Sequence, residues 1–303
     1  MINAPTRLDT LTQQMIDLTT RITPAEQTLA QLKNQFAETA LVSVADNIDE
    51  ARQRLTFAEQ NIDTARDLGL GEATGIDLPA EATGRIPGRA WKREWWESTK
   101  DASCREAKRG HPEIADRTRR AYLTALAEEN CESGYQFRPG DEANLSIGQG
   151  DVTATLLQMA RVYGTIATDG DEPSPHLGRA TVAPDGTRSR IDVADGREVE
   201  LPKGAGALLR TALGDVVSAP GGTAHSAFVG FPLRQWPVAG KTGTAEFGTT
   251  GAAHAWFTGF APADDPQIAV AVFIRNGGGT GGEQSAPIAA DVISAYLDAQ
   301  GGG

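Results

Sequence analysis

Cysteine is nearly missing from the sequence: Cys104 and Cys131 are the only two among 303 residues. Neither belongs to a Cys-x-x-Cys pair or has a histidine at ligand spacing, which excludes the common zinc patterns and leaves either one disulfide or two buried thiols. Aromatic residues make up 6% and the four histidines are scattered. No stretch approaches the ~20 apolar residues of a membrane helix, and the first residues lack the basic-then-apolar layout of an export signal. Positive charge is also in deficit, with a net charge of −12 and a pI near 4.9. An acidic chain of this kind is a poor partner for nucleic acid or an anionic membrane. No cofactor motif is present.

What is there is globular in composition, 40% apolar and 22% charged, over a length that suits one large domain or two smaller ones. Leu8, Leu11, Met15, Leu18 and Ile22 fall alternately three and four apart, the seam of a short coiled coil. Thr23 and Glu26 form a capping box around Pro24 and start a second helix through Leu29, Leu32 and Phe36. Ala51, Leu55, Ala58, Ile62 and Ala65 repeat the alternation. Residues 1–66 are therefore expected to be a helical coiled-coil or hairpin segment that associates with a protein partner.

Composition changes at Leu68-Gly69-Leu70-Gly71, and Thr74-Gly75-Ile76-Asp77-Leu78-Pro79-Ala80-Glu81 follows, a turn-rich run in which Asp77 is placed to accept nearby amides. Residues 90–131 read as helices, with Trp91, Trp95 and Trp96 at core spacing. Nine Lys/Arg against six Asp/Glu between Trp91 and Arg120 read as a solvated face. Ser146-Ile147-Gly148-Gln149-Gly150-Asp151 leads into a helix from Thr155. A hairpin is expected from Thr181-Val182-Ala183 and Arg190 to Val193 around Pro184-Asp185-Gly186, then a helix from Leu201 to Val217. Strands at Ala255–Phe260 and Ile268–Ile274 complete a meander with the segment around Lys241. A glycine loop at 277–282 and a helix over 286–299, packing Ile288, Val292, Ile293, Tyr296 and Leu297 on the sheet, close the chain.

The segment that organises these elements is Lys241-Thr242-Gly243-Thr244. A nucleotide-binding loop also contains Gly-Lys-Thr, but it needs glycine where Gln235 stands. Beside the bland reading, a glycine-punctuated strand with one exposed lysine, stands a resemblance. The Lys-Thr-Gly segment, Thr74 to Glu81, Ser146 to Asp151 and the strand-strand-helix ending resemble, in that order, class B penicillin-binding proteins. The resemblance implies an α+β fold, a partial transpeptidase domain over 67–303, preceded by the coiled-coil segment. It also implies serine acyl-transfer on peptidoglycan stem peptides, capture by β-lactams, and an extracytoplasmic location in cell-wall synthesis. Lys241, Thr242, Gly243 and Thr244 would bind substrate. Residues 1–66 are similar to the coiled-coil tail of actinobacterial TPM-domain proteins.

One requirement of that chemistry is unmet. A Ser-x-x-Lys turn supplies the nucleophile and a Ser-x-Asn segment assists it, yet none of the eleven serines has Lys three or Asn two residues later. No catalytic residue is assigned, and His225-Ser226 has no motif around it. The chain is expected to be a pseudoenzyme alone, with a three-stranded sheet and an uncovered edge, or else a non-enzymatic coiled-coil interaction protein carrying a transpeptidase remnant.

Overall fold

The computed structural model describes residues 63–136, 150–246 and 253–301, with isolated positions elsewhere. The expected coiled-coil seam and its partner-binding surface thus lie almost wholly outside the described residues. The chain divides into two compact units, one holding 1–63 and 86–152, the other 64–85 and 153–303.

In the first unit, α1 (Arg89–Arg109) and α2 (Arg117–Ser133) pack against each other. Gly110, at φ 69°, ends α1 with its N–H on the Glu106 carbonyl, and Asp116 caps α2 by accepting from Arg119 N. Trp96 is the aromatic that joins the helices: its indole donates to the Asn130 carbonyl at 2.7 Å and its ring meets Tyr135 edge-on. Trp95 instead stacks on Trp91 and is 53% exposed, so the tryptophans are not one core cluster as expected. Positions 91 and 95 share a helix face that turns away from the one carrying Trp96. Lys92 departs from the solvated-face reading too, being buried with Asp141 at 2.6 Å and Asp151 at 3.7 Å.

Cys104 and Cys131 join α1 to α2 through a disulfide. It closes a loop with a sequence separation of 27, which constrains the unfolded chain.

The second unit is built on β5 (Ala239–Glu246), β6 (Ala253–Ala261) and β7 (Ile268–Ile274), an antiparallel meander in that spatial order. The register sets Lys241 opposite Thr258, Thr242 opposite Phe257 and Gly243 opposite Trp256. Strand alternation sends Phe257, Ala261, Val270 and Val272 to one face, covered by α5 (Gly281–Gly301) through Ala286, Ala289, Ile293 and Leu297. Phe260 and Ala269 go to the other face, against Val162 and Ile166 of α3 (Leu156–Ala167) and Leu213 of α4 (Ala205–Ser218).

Three expectations shift. The terminal helix begins at Gly281, because Thr280 and Glu283 cap it reciprocally: Glu283 Oε2 accepts from Thr280 N and Thr280 Oγ1 from Glu283 N. Ile288 and Val292, each 44% exposed, point away from the sheet, and the small residues Ala286, Ala289 and Ala290 face it. The hairpin pairs β2 (Ala180–Val182) with β3 (Arg188–Arg190), earlier than expected, because Asp185 closes a tight turn on Thr187 N. A minor ladder joins β1 (Asp171–Glu172) to β4 (Arg197–Glu198).

Opening the Cys104–Cys131 bridge tests how far it supports α1 and α2. The double variant Cys104→Ser, Cys131→Ser is expected to lose about 3 to 4 kcal/mol of stability, read by urea denaturation with fluorescence from the tryptophans of α1.

Candidate functional site

Lys241, Thr242, Gly243 and Thr244 lie side by side on β5, an outer strand of the meander, so their backbone faces an open edge among the described residues. Lys241 and Thr244 are exposed, and the Lys241 ammonium donates back to the Thr242 carbonyl at 2.7 Å. That contact is within one residue and leaves the cation at the strand surface. The Thr242 hydroxyl lies 2.6 Å from the hydroxyl of Thr223, in the turn that follows α4. The Thr244 hydroxyl accepts from Gly281 N at 3.3 Å.

The start of α5 therefore presses directly on this strand. A Cβ at Gly281 would stand 2.1 Å from the Trp256 carbonyl oxygen and 2.6 Å from that of Gly243. One at Gly282 would stand 2.0 Å from the Thr223 carbonyl oxygen. Contacts of that length with backbone cannot be relaxed by a rotamer change, so both positions require glycine. The sequence alone reads these glycines as a loop; the Thr280-x-x-Glu283 spacing is the signal that they open a helix. Gly240 is nearly as crowded, with a Cβ there 2.4 Å from the Phe257 ring, whereas at Gly243 it would stand 3.1 Å from the Trp256 side chain, a tight but milder contact.

The other motif residues are scaffolding. Glu81 accepts from Thr74 N and Gly75 N at 2.7 and 3.1 Å, closing the turn that Gly75 enters at φ 79°. Burial raises the Glu81 carboxyl, but the Thr74 hydroxyl and amide, the Gly75 amide and Arg161 outweigh it and hold it below its ordinary value. Asp77 reaches much farther than expected: its two oxygens accept from Leu177 N and Gly178 N, both at 2.7 Å. Those amides, Leu177 first, hold the Asp77 carboxyl below the usual range. Gln158, fully buried, completes a capping box with Thr155 and donates to the carbonyls of Glu72 and Thr83. Of Ser146 to Asp151, Gly148 and Gly150 have φ of 72° and 74° and Asp151 faces Lys92; the rest lies outside the described residues. The Glu246 side chain lies outside them as well.

Other groupings are weaker as sites. A cavity of about 220 Å³ is lined by Thr74, Arg161, Glu172, Asp195 and Arg197, but Glu172 is buried between Arg161 and Arg197, which absorb its charge. Glu106, His111 and Glu113 bring potential ligand atoms within 4.8 Å, the one such cluster among the described residues. Arg109 already pairs with both of those carboxylates. His225 Nδ1 and Ser285 Oγ are buried without a hydrogen-bond partner among the described residues. His225 and Ser226 share no hydrogen bond, and Ser226 is exposed, so they form no nucleophile-base pair.

An antiparallel strand with a Lys-Thr-Gly edge, flanked by a hydroxyl-bearing turn and by the opening of a terminal helix, is in keeping with the α+β fold that the resemblance to penicillin-binding proteins implies. Comparison with known proteins agrees. Residues 50–294 match the family described as the penicillin binding protein transpeptidase domain, and the chain belongs to that family. It is 29% identical over 248 residues to the peptidoglycan D,D-transpeptidase MrdA of Haemophilus influenzae, covering 77% of this chain and 32% of that protein. Among solved structures it is similar to PBP2 of Pseudomonas aeruginosa in complex with WCK 5153, with a TM-score of 0.55 and 28% identity over 80% of this chain and 47% of that one. A UPF0603 protein of Mycobacterium tuberculosis, an actinobacterium, shares 54% identity over 75 residues, 25% of this chain and 11% of that protein, and supports the TPM-like reading. The matched part spans about a third of the MrdA relative.

Acidification tests the Asp77 tether. Its folded value lies below the ordinary 3.8, so its contribution is complete above that value and is lost as pH falls through the folded one. The thermal midpoint is expected to drop more steeply in the parent than in Asp77→Asn from about pH 5 to about pH 3, followed by circular dichroism.

Proposed function

We propose that residues 67–303 act as a peptide- and β-lactam-recognising wall of a peptidoglycan transpeptidase, and that this chain alone does not acylate. The observation that carries the reading is the open β5 edge bearing Lys241, with Gly243 pinned by the start of α5. An extended stem peptide would pair with that edge, main chain to main chain. Lys241 and the hydroxyls of Thr242 and Thr244 would attract its terminal carboxylate or that of a β-lactam. The absence of any Ser-x-x-Lys or Ser-x-Asn in the sequence supports the second half of the reading: positioning groups have nothing to assist without an activated nucleophile. Family membership supports a place at the extracytoplasmic cell wall. Among the described residues no helix is long and apolar enough to cross a membrane.

Residues 1–66 would form a separate helical segment that binds a protein partner. The identity to the UPF0603 protein favours this second role, in which the transpeptidase part is a ligand-holding scaffold.

Intact mass after incubation with a reporter penicillin separates these roles. The expected result is no covalent adduct, together with reversible binding that Lys241→Ala weakens about tenfold, the loss of one charge-assisted hydrogen bond. A stoichiometric adduct would overturn the non-acylating reading and identify the nucleophile by peptide mapping.

A further inference from the structure

We infer that Thr223, in the turn after α4, is a positioning residue for carboxylate recognition on β5: its hydroxyl donates to the Thr242 hydroxyl and leaves the Thr242 proton for the ligand. The inference rests on the ligand-recognising reading of β5 proposed above. The two oxygens lie 2.6 Å apart, and neither hydroxyl has another hydrogen-bond partner among the described residues. A hydroxyl carries one proton and accepts through two lone pairs, whereas an ionised carboxylate only accepts. Thr242 therefore serves a carboxylate only when its own proton points outward, which makes Thr223 the donor of the pair. With the direction reversed, a lone pair of Thr242 would face the anion. Accepting from Thr223 also polarises the Thr242 hydroxyl and strengthens the bond it gives to a charged acceptor.

The neighbouring hydroxyl is arranged in the same way. Strand alternation puts Thr242 and Thr244 on one face of β5. Thr244 Oγ1 accepts from Gly281 N, so its proton too is left for a ligand. One hydroxyl is thus set by a backbone amide at the start of α5 and the other by a side chain of the turn. That turn is itself fixed: Gly222 N donates to the Ala219 carbonyl at 2.8 Å and Ala224 N to that of Val216 at 3.0 Å. Ala224 is fully buried, and the Thr223 carbonyl closes on Gly282, where a Cβ has no room. Thr223 stays exposed between these anchors, so what its side chain contributes is a hydroxyl rather than packing.

Equilibrium binding of a reporter penicillin, followed by fluorescence anisotropy, is compared with that of its methyl ester, which lacks the carboxylate charge. Thr223→Val keeps the side-chain shape and removes the donor. It is expected to weaken binding of the carboxylate form about fivefold while changing the ester little, so that the preference for the charged form falls by the same factor. Thr223→Ser, which keeps the hydroxyl, is expected to restore parent binding. A Thr223→Val variant that binds the carboxylate form as the parent does would overturn the inference and leave the β5 wall standing. An equal loss on both forms, or a Thr223→Ser variant as weak as Thr223→Val, would also overturn it and mark a structural role. A parent that binds neither form would overturn the ligand-recognising wall itself, and this inference with it.

Discussion

The second unit depends on one close approach: the first turn of α5 lies against the backbone of β5 and β6 with no room for a side chain at Gly281 or Gly282. Helix starts carry unpaired N–H groups, and here the Gly281 N–H finds the Thr244 hydroxyl. The contact fixes the strand from behind, so Lys241 and Thr242 are presented on a backbone that cannot slide. Ala286, Ala289, Ile293 and Leu297 then carry the same helix across the sheet, and their burial secures the approach. Recognition geometry and core packing are two ends of one helix.

The motif residues that are remote from β5 act through tethers rather than through chemistry. Asp77 binds two amides about a hundred residues onward, and Gln158 holds two carbonyls of the 72–83 segment from inside α3. Gln158 satisfies carbonyls from inside the core, where an unpaired polar group is costly, while Asp77 ties two surface amides together. Their position in the chain, far in sequence from what they hold, is typical of residues that specify one arrangement of loops. Each tether ends on the unit that carries the sheet.

Much of this was legible in the residues. The meander, the helix that starts at Thr155 and the Lys-Thr-Gly strand follow from alternation, helix-start signals and small-residue spacing, which are local. The orientation of α5 was legible only in part: Ile293, Tyr296 and Leu297 pack on the sheet as expected, whereas Ile288 and Val292, larger than their neighbours, face away and Ala286, Ala289 and Ala290 make the contact. A close helix-sheet approach selects small residues there, and hydrophobicity alone points the wrong way. The exposure of Trp95 has the same origin: one face of α1 is taken by Trp96 and its bond to α2, and the neighbouring face stays at the surface. The reach of Asp77 could not be read either, since a carboxylate in a turn usually binds the next amides and nothing local marks a partner a hundred residues away.

The two outer strands of the meander have opposite characters. β5 carries glycine and hydroxyl residues and a cation, so its edge is small, polar and positively charged. β7 carries β-branched and aromatic residues. Main-chain hydrogen bonding is available on both edges and distinguishes nothing; the side chains decide what each edge accepts.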